Sequence, residues 1–126
     1  MRAIDTNVLV RLITRDDERQ LASAEAFVSR GAWVSQLVLA ETTWVLSAAY
    51  KLRHGEIAIA VEMLLNHQHL TVQDADVVEA ALTHYRDRPS LGFSDCLVLE
   101  IAKKAGHLPL GTFDQALSKL SDVERV

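Results

Sequence analysis

The N-terminal stretch MRAIDTNVLVRLI, residues 1–13, decides the expected fold. A short apolar run ends at the polar turn Asp5-Thr6-Asn7, and a second apolar patch follows at helix-compatible spacing. This order predicts a strand, a polar turn and a helix. Asp5 is therefore expected to stand directly after the first strand.

The rest of the chain repeats this alternation of strands and helices. Three further strand-like segments, 32–35, 70–72 and 108–110, are separated by stretches with helical patterns. Strands separated by helices indicate a parallel sheet covered on both faces. We therefore expect an α/β three-layer sandwich, with a short parallel sheet of four or five strands and about seven helices. The helices are expected over 8–13, 17–30, 37–52, 56–65, 75–85, 94–105 and a short segment that begins near 114.

Length and composition indicate one globular domain over residues 1–126. The chain has 126 residues, 49% of them hydrophobic and 24% charged, which disfavours intrinsic disorder, a fibrous repeat and a disulfide scaffold. The formal net charge of −4 shows no overall basic field of the kind that marks many nucleic-acid-binding proteins. However, carboxylates that hold a cation would leave the rest of the surface closer to neutral.

The expected compartment is the cytoplasm. The single cysteine, Cys96, cannot form an internal disulfide, which fits a reducing compartment. The N-terminus carries no basic region followed by an apolar stretch, and no apolar run is long enough to cross a bilayer. No membrane partner is therefore expected.

Four carboxylates stand at informative positions. Ligands of parallel sheets gather beyond the carboxyl ends of the strands, where Asp5 and Asp114 are expected. Glu41 has apolar neighbours at helical spacing, which predicts a charge within a core-facing stripe of Leu37, Trp44, Val45 and Ala48. Asp95 lies in the first turn of the helix predicted over 94–105, beside its expected apolar face of Val98, Ile101, Ala102 and Ala105. All four acids are expected to reach one rim of one sheet.

Each carboxylate also has an ordinary structural explanation. Asp5 fits an Asx-turn, Asp114 a helix N-cap, Asp95 a first-turn residue that satisfies the helix dipole, and Glu41 a partly exposed residue at the end of its helix. Two carboxylates ~4 Å apart repel by roughly 4 kcal/mol at an effective dielectric constant near 20. Convergence of all four therefore predicts a hard divalent cation, Mg²⁺ or Mn²⁺, because only carboxylate oxygens are at hand.

The predicted chemistry is metal-assisted hydrolysis of a phosphodiester. Asp5 and Asp95 are expected to ligate the ion directly, while Glu41 and Asp114 act through waters, through a second ion or on the attacking water. Polar neighbours are candidates to hold these carboxylates, although they also fit ordinary turns and caps: Thr6, Asn7, Ser94 and Thr112. Cations placed to meet the phosphates of a polyanionic substrate, or simply solvated at the surface, are Arg11, Arg15, Arg86 and Arg88.

Four short motifs resemble the acidic motifs of PIN-domain ribonucleases, and more narrowly those of VapC-type toxins. They span nearly the whole chain in the family's order: residues 4–9, 39–41, 93–97 and 111–114. The resemblance implies a Mg²⁺- or Mn²⁺-dependent endoribonuclease that inhibits translation by cutting RNA and is neutralised by a cognate antitoxin. It also implies that Asp5, Glu41, Asp95 and Asp114 form the acidic set. The chain lacks the further acids that many relatives carry after the third and fourth motifs, so the sequence does not decide between one metal ion and two.

The helix that carries Glu41 has a second apolar face with Leu39, Leu46 and Tyr50. A helix that is apolar nearly all round is buried on both sides, either by another subunit or by the next helix with Ile57, Ile59, Val61 and Leu64. These two helices therefore predict a homodimer or antitoxin contact. A phospho-receiver domain and a haloacid-dehalogenase-like phosphatase fit poorly, since Thr6 and Asn7 follow Asp5 where those classes need a second acid. The remaining alternative is a catalytically idle PIN-like interaction module.

Overall fold

The computed structural model describes all residues, 1–126, as five short strands, six α-helices and one 3₁₀ turn. The chain packs as two compact units, an N-terminal unit of residues 1–75 and a C-terminal unit of residues 76–126. The strands are β1 (Arg2–Ala3), β2 (Ala32–Val34), β3 (Leu70–Val72), β4 (Leu110–Thr112) and β5 (Val123–Arg125). The helices are α1 (Thr6–Thr14), α2 (Glu18–Val28), α3 (Gln36–Ala48), α4 (His54–Leu65), α5 (Ala75–Asp87) and α6 (Phe93–Ala105), and the 3₁₀ turn is Leu117–Lys119.

The N-terminal unit contains a three-stranded parallel sheet in the order β1-β2-β3. Pairing continues past β1, because the Ile4 N–H donates to the Trp33 carbonyl at 3.1 Å. Helix α1 contacts both α2 and α3, and α4 contacts β3. The apolar core of this unit includes the fully buried side chains Leu9, Val28, Val34, Leu39, Leu46 and Val61.

Side-chain caps set where the first three helices begin. The carboxylates of Asp5 and Asp17 accept backbone N–H bonds at the starts of α1 and α2, at 3.2 and 3.0 Å. Ser35 does the same for α3 through its hydroxyl, at 3.1 Å. Each cap satisfies an N–H that has no partner within its helix, and such a cap contributes about 1 kcal/mol.

The C-terminal unit is built from α5, α6 and a two-stranded parallel sheet of β4 and β5. Tyr85 and Phe93 pack edge to face, with their ring centroids 5.5 Å apart. Gly106 ends α6 in the left-handed conformation, with φ of 84°, as its position after the helical pattern predicts. Burial raises the pKa of the Cys96 thiol to about 12, so this side chain is a packing residue with no reactive thiolate.

Parallel strands and six α-helices confirm the α/β prediction, while the strands divide between two sheets of three and two. Strand β5 was not predicted, because its segment is short and alternates too weakly to signal a strand. Its partner, β4, begins two residues later than expected and includes Gly111 and Thr112, which the sequence assigns to a turn. Both strands form because the two segments pair with each other, and the local sequence pattern gives little indication of such pairing.

The buried face of α3 is the opposite of the one predicted to face the core. Leu39 and Leu46 are buried, whereas Leu37 and Trp44 are 69% and 70% exposed. The prediction was wrong because α3 is apolar on both faces, so that periodicity alone cannot choose between them. Two threonines complete the buried face, since their hydroxyls bond to carbonyls of their own helix: Thr42 to Val38 at 2.7 Å and Thr43 to Ala40 at 2.9 Å.

The same error affects α6. Val98 and Ile101, predicted to form its apolar face, are exposed, and the buried side includes Cys96, Leu97 and the carboxylate of Glu100. Burial of that carboxylate is compensated by His84, whose Nε2 lies 3.1 Å from Glu100 Oε1. The core face of α6 was predicted wrongly because Glu100 lies on it, and a charged residue usually indicates the solvent side of a helix. None of the helices combines the length and apolar character that a membrane span requires.

Candidate active site

In the N-terminal unit, Asp5 and Glu41 are joined through Thr6. Thr6 is the first residue of α1, and its hydroxyl donates to Glu41 Oε2 on α3 at 2.8 Å. Asp5 is the neighbour of Thr6 in the chain, and its Oδ1 accepts the Val8 N–H as the cap of α1. The second oxygen of each carboxylate makes no hydrogen bond within the chain. The Thr6 bond thus brings Glu41 to the residue next to Asp5, and each of the two carboxylates keeps one oxygen without a hydrogen bond.

Glu41 does not occupy the buried position that the sequence predicts. The residue is exposed, since it lies on the solvent side of α3 with Leu37 and Trp44. The inference that a buried charge there needs a compensating cation is therefore wrong. The Thr6 hydroxyl, which the sequence analysis counted among the candidate holding groups, contacts Glu41 directly.

In the C-terminal unit, Asp95 and Asp114 lie within electrostatic range of each other. Burial raises the pKa of Asp95, the Asp114 charge raises it further, and a hydrogen bond from the Gly92 backbone opposes both effects. Asp95 is the third residue of α6 and Gly92 is its N-cap, so this bond is one half of a capping box. The acid therefore serves the helix end and is also held near a second carboxylate.

Asp114 is fixed at a tight turn just after β4. Its Oδ1 accepts the Leu117 N–H at 3.0 Å, and its own N–H donates to Thr112 Oγ1 at 3.0 Å. Asp114 thus closes a turn through its side chain, whereas the N-cap of the 3₁₀ turn Leu117–Lys119 is Ala116, and one Asp114 carboxylate oxygen remains without a hydrogen bond in the chain. Thr112 contributes by holding the backbone of the turn.

The four candidate holding groups divide into two sets. Thr6 bonds to Glu41 and Thr112 bonds to the Asp114 backbone. Asn7 and Ser94 are exposed, and their side chains make no hydrogen bond within the chain. The sequence could not separate the two sets, because all four are also common turn and cap residues.

Arg11 is engaged in a network that the sequence analysis missed. Its guanidinium bonds to Asp16 at 3.0 Å, to the Tyr50 hydroxyl at 2.8 Å and to the Gln20 side chain. Tyr50 also donates to Asp16 at 3.0 Å, so one cluster ties α1 and the start of α2 to the end of α3. Hydrogen bonds, led by that from Thr14, lower the pKa of Asp16, and the Tyr50 bond raises the pKa of Arg11. Much of the Arg11 donor capacity is therefore used inside the protein.

The other predicted cations are exposed. Arg15 lies 4.0 Å from Glu25, a long ion pair between two solvent-exposed groups that holds it only weakly. Arg86 is the second-to-last residue of α5, and Arg88 lies in the loop that follows this helix. Arg15 and Arg88 are thus accessible to an anionic ligand.

The donor chemistry of the two acid pairs fits Mg²⁺ or Mn²⁺. Each pair offers carboxylate oxygens only, which these hard ions prefer, and Mg²⁺ is commonly held by one or two carboxylates together with waters and substrate phosphate. Within either unit, no three side chains of His, Cys, Asp or Glu come close enough to enclose a metal ion. Each unit therefore supplies two oxygen-bearing side chains and no closed metal site.

Comparison with known proteins places the chain in a family. No curated protein matches it. Among solved structures, it matches the crystal structure of Mycobacterium tuberculosis VapC20, described as a sarcin-ricin-loop-cleaving toxin, at 20% identity over 98% of each chain and a TM-score of 0.43. A similarity of this size supports no conclusion about substrate. The family model of the PIN domain, by contrast, matches residues 3–123, and the protein therefore belongs to the PIN-domain family.

Proposed function

We propose that this protein is a Mg²⁺- or Mn²⁺-dependent endoribonuclease, of the VapC type, that acts as the toxin of a toxin–antitoxin pair. The observation that carries the proposal is the pairing of the four predicted acids, Asp5 with Glu41 through Thr6 and Asp95 with Asp114. We further propose that residues 1–126 work as one PIN domain. The family match supports this, since it runs through both compact units.

The four acids have distinct proposed roles in one reaction. Asp5 and Asp95 would ligate the ion directly, and Asp114 would hold it through a water or a second ion. Glu41, exposed and oriented by the Thr6 hydroxyl, is suited to orient the attacking water. When bound, the ion would supply a water of lowered pKa and positive charge beside the phosphate. Burial and the Asp114 charge raise the pKa of Asp95, so a bound cation would also offset the unfavourable charge of its carboxylate.

Substrate and partner follow from this proposal. RNA phosphates would meet the predicted cations, of which Arg15, Arg86 and Arg88 are exposed, while Arg11 contributes less because it is engaged. A toxin of this type needs a cognate antitoxin, usually encoded beside it. An enzyme that cuts RNA to stop translation acts where ribosomes are, so we place it in the cytoplasm.

The test of this function is RNA cleavage with and without divalent metal. Purified protein is expected to cut a mixed RNA substrate in Mg²⁺ or Mn²⁺ and to lose that activity in chelator, with recovery on adding metal back. Induced expression should arrest growth, and mapping of RNA ends in those cells would identify the substrate. Equal cleavage with metal and with chelator, or none in either, would favour the idle interaction module instead.

We also propose a homodimer formed through α3 and α4, which contact each other. The apolar side chains available for it are not Leu39 and Leu46, as the sequence suggests, because those are buried within the unit. Instead, α3 exposes Leu37 and Trp44, which flank Glu41 on its solvent side, and α4 exposes Ile59 and Met63 at 59% and 63%. The proposed interface therefore runs beside Glu41 and must leave that carboxylate open to RNA. Large exposed apolar side chains concentrated on two adjacent helices are typical of an interface.

Changing Trp44 to Asp is expected to dissociate this dimer. Loss of a central tryptophan commonly weakens an interface by about 2 kcal/mol or more, roughly 30-fold in the dissociation constant. Size-exclusion chromatography with light scattering, without any antitoxin, measures the mass directly. Ala22→Asp, at an exposed position of α2, is the control and should remain dimeric. A wild-type protein that stays monomeric at high concentration would contradict the proposal.

A further inference from the structure

A groove of about 510 Å³ lies between α1 and α2, entirely within the N-terminal unit, and Asp5 stands on its lining. Its volume falls within the roughly 300–1,000 Å³ of sites that hold small molecules. Asp5, Asn7 and Arg11 are candidate site residues from the sequence, whereas the rest of the lining was assigned no role. Since Asp5 is a proposed metal ligand, whatever binds in this groove binds next to the proposed reaction centre.

The groove combines an apolar floor with polar groups. Val8, Ala24 and Phe27 supply the apolar contacts. The Phe27 ring is held in place by Arg2, whose guanidinium carbon lies 3.7 Å from the ring centroid and whose Nη2 donates to the Phe27 carbonyl at 3.0 Å. A fixed aromatic ring and small aliphatic groups suit a flat, apolar ligand surface.

The polar groups of the lining are largely free to bind. The side chains of Asn7, Ser23 and Arg19 make no hydrogen bond or ion pair within the chain. Gln20 uses its carbonyl oxygen to accept from Arg11, which leaves its amide N–H groups available. Free donors that surround an apolar floor match a ligand with flat faces and hydrogen-bonding edges.

We infer that this groove binds one nucleoside of the RNA substrate, next to the phosphate that is cut. The base would contact Phe27 and Ala24 and bond to the amide donors, while Arg19 would meet a neighbouring phosphate. Charge favours a nucleotide over a peptide here: the lining holds two arginines against one carboxylate, Asp5, and Arg19 makes no ion pair within the chain. The inference rests on the ribonuclease function proposed above and assigns the groove as its substrate subsite.

Blocking the groove tests the inference. In EDTA, where no metal-dependent cleavage occurs, binding of a fluorescein-labelled, mixed-sequence, single-stranded RNA hexanucleotide is measured by anisotropy. Ser23→Leu fills the groove from an exposed helix position and is expected to weaken binding about tenfold or more, as loss of a base contact does. The matched control, Ala22→Leu, lies next to it on α2 outside the groove and should bind within about twofold of wild type.

A second pair of variants examines charge and guards against misfolding. Arg19→Gln should weaken binding severalfold and reduce the salt slope by about one, whereas Arg30→Gln, outside the groove, should do neither. Circular dichroism checks that each variant keeps its helices. Equal binding by Ser23→Leu and Ala22→Leu would overturn the inference. So would a Ser23→Leu variant that binds RNA normally but no longer binds the antitoxin, because the groove would then be a protein site.

These outcomes are separate from those of the proposed function. Metal-dependent cleavage that Ser23→Leu leaves unchanged removes the groove from the substrate path but leaves the nuclease intact. Groove-dependent binding of the hexanucleotide without cleavage in Mg²⁺ or Mn²⁺ contradicts the nuclease instead.

Discussion

Replacing Asp5 by Asn is expected to reduce RNA cleavage in Mg²⁺ by at least about 10³-fold, roughly 4 kcal/mol of transition-state stabilisation. The neutral amide removes the charge that would hold the cation. It keeps the cap of α1, because Asn and Asp are equally good N-caps and Asp5 Oδ1 already accepts the Val8 N–H. Lost activity therefore cannot be attributed to a lost helix start. Initial rates on a defined RNA, together with Mg²⁺ titration by calorimetry, measure the two effects.

The chain offers a closely matched control for this variant. Asp17 caps α2 in the same way, with its carboxylate accepting the Gln20 N–H at 3.0 Å, and it belongs to no proposed acid pair. Asp17→Asn should therefore cleave RNA at close to the wild-type rate. If the two variants lose activity equally, or if Asp5→Asn keeps it, Asp5 is no metal ligand and the proposed reaction centre is wrong.

Asp95→Asn is expected to abolish cleavage and, in metal-free buffer at neutral pH, to raise the melting temperature. Burial and the Asp114 charge raise the pKa of Asp95 in the folded protein, which means that its ionised form is unfavourable there. Asparagine removes that charge and also removes a proposed metal ligand. Function and stability are thus expected to change in opposite directions, as is common where an active site holds like charges together.

The pH dependence of this stability change has a definite sign. Below the ordinary Asp pKa of 3.8 both the folded and unfolded states are protonated at Asp95, so the two proteins should differ least there. As the pH rises through the elevated folded-state pKa, the wild type should lose stability relative to Asp95→Asn. Asp76→Asn is the opposite control: Lys104 lowers the pKa of Asp76, so that variant should be slightly destabilised at neutral pH. Thermal melts that rank Asp95→Asn below wild type at pH 7 would refute this account.

Much of the candidate site could be predicted from the sequence because acids at element ends are marked by local patterns. Asp5 and Asp114 follow strands, and the side chain of each accepts the backbone N–H of the residue three positions later. Asp95 is an early residue of a helix whose end Gly106 marks clearly. Such positions depend on residues within a few places in the chain, which a single sequence displays directly.

The position of Glu41 was predicted, whereas its surroundings were not. The sequence shows an acid among apolar residues, and this pattern led to the prediction of a buried charge on the core side of α3. In the structure the same residues face solvent, and the acid is joined to α1 by Thr6, 35 positions away. Long-range partners of this kind are set by how helices pack, which local periodicity does not contain.

The amino-acid sequence by itself determined the alternation of parallel strands and helices, the helix starts and the positions of the four acids, because each of these depends on short-range backbone chemistry. Tertiary structure alone decided which face of α3 and α6 is buried, the pairing of β4 with β5, the Arg11 cluster and the groove between α1 and α2. The physical reason is that a helix with two apolar faces, or a short strand, has no preferred partner until distant segments pack against it.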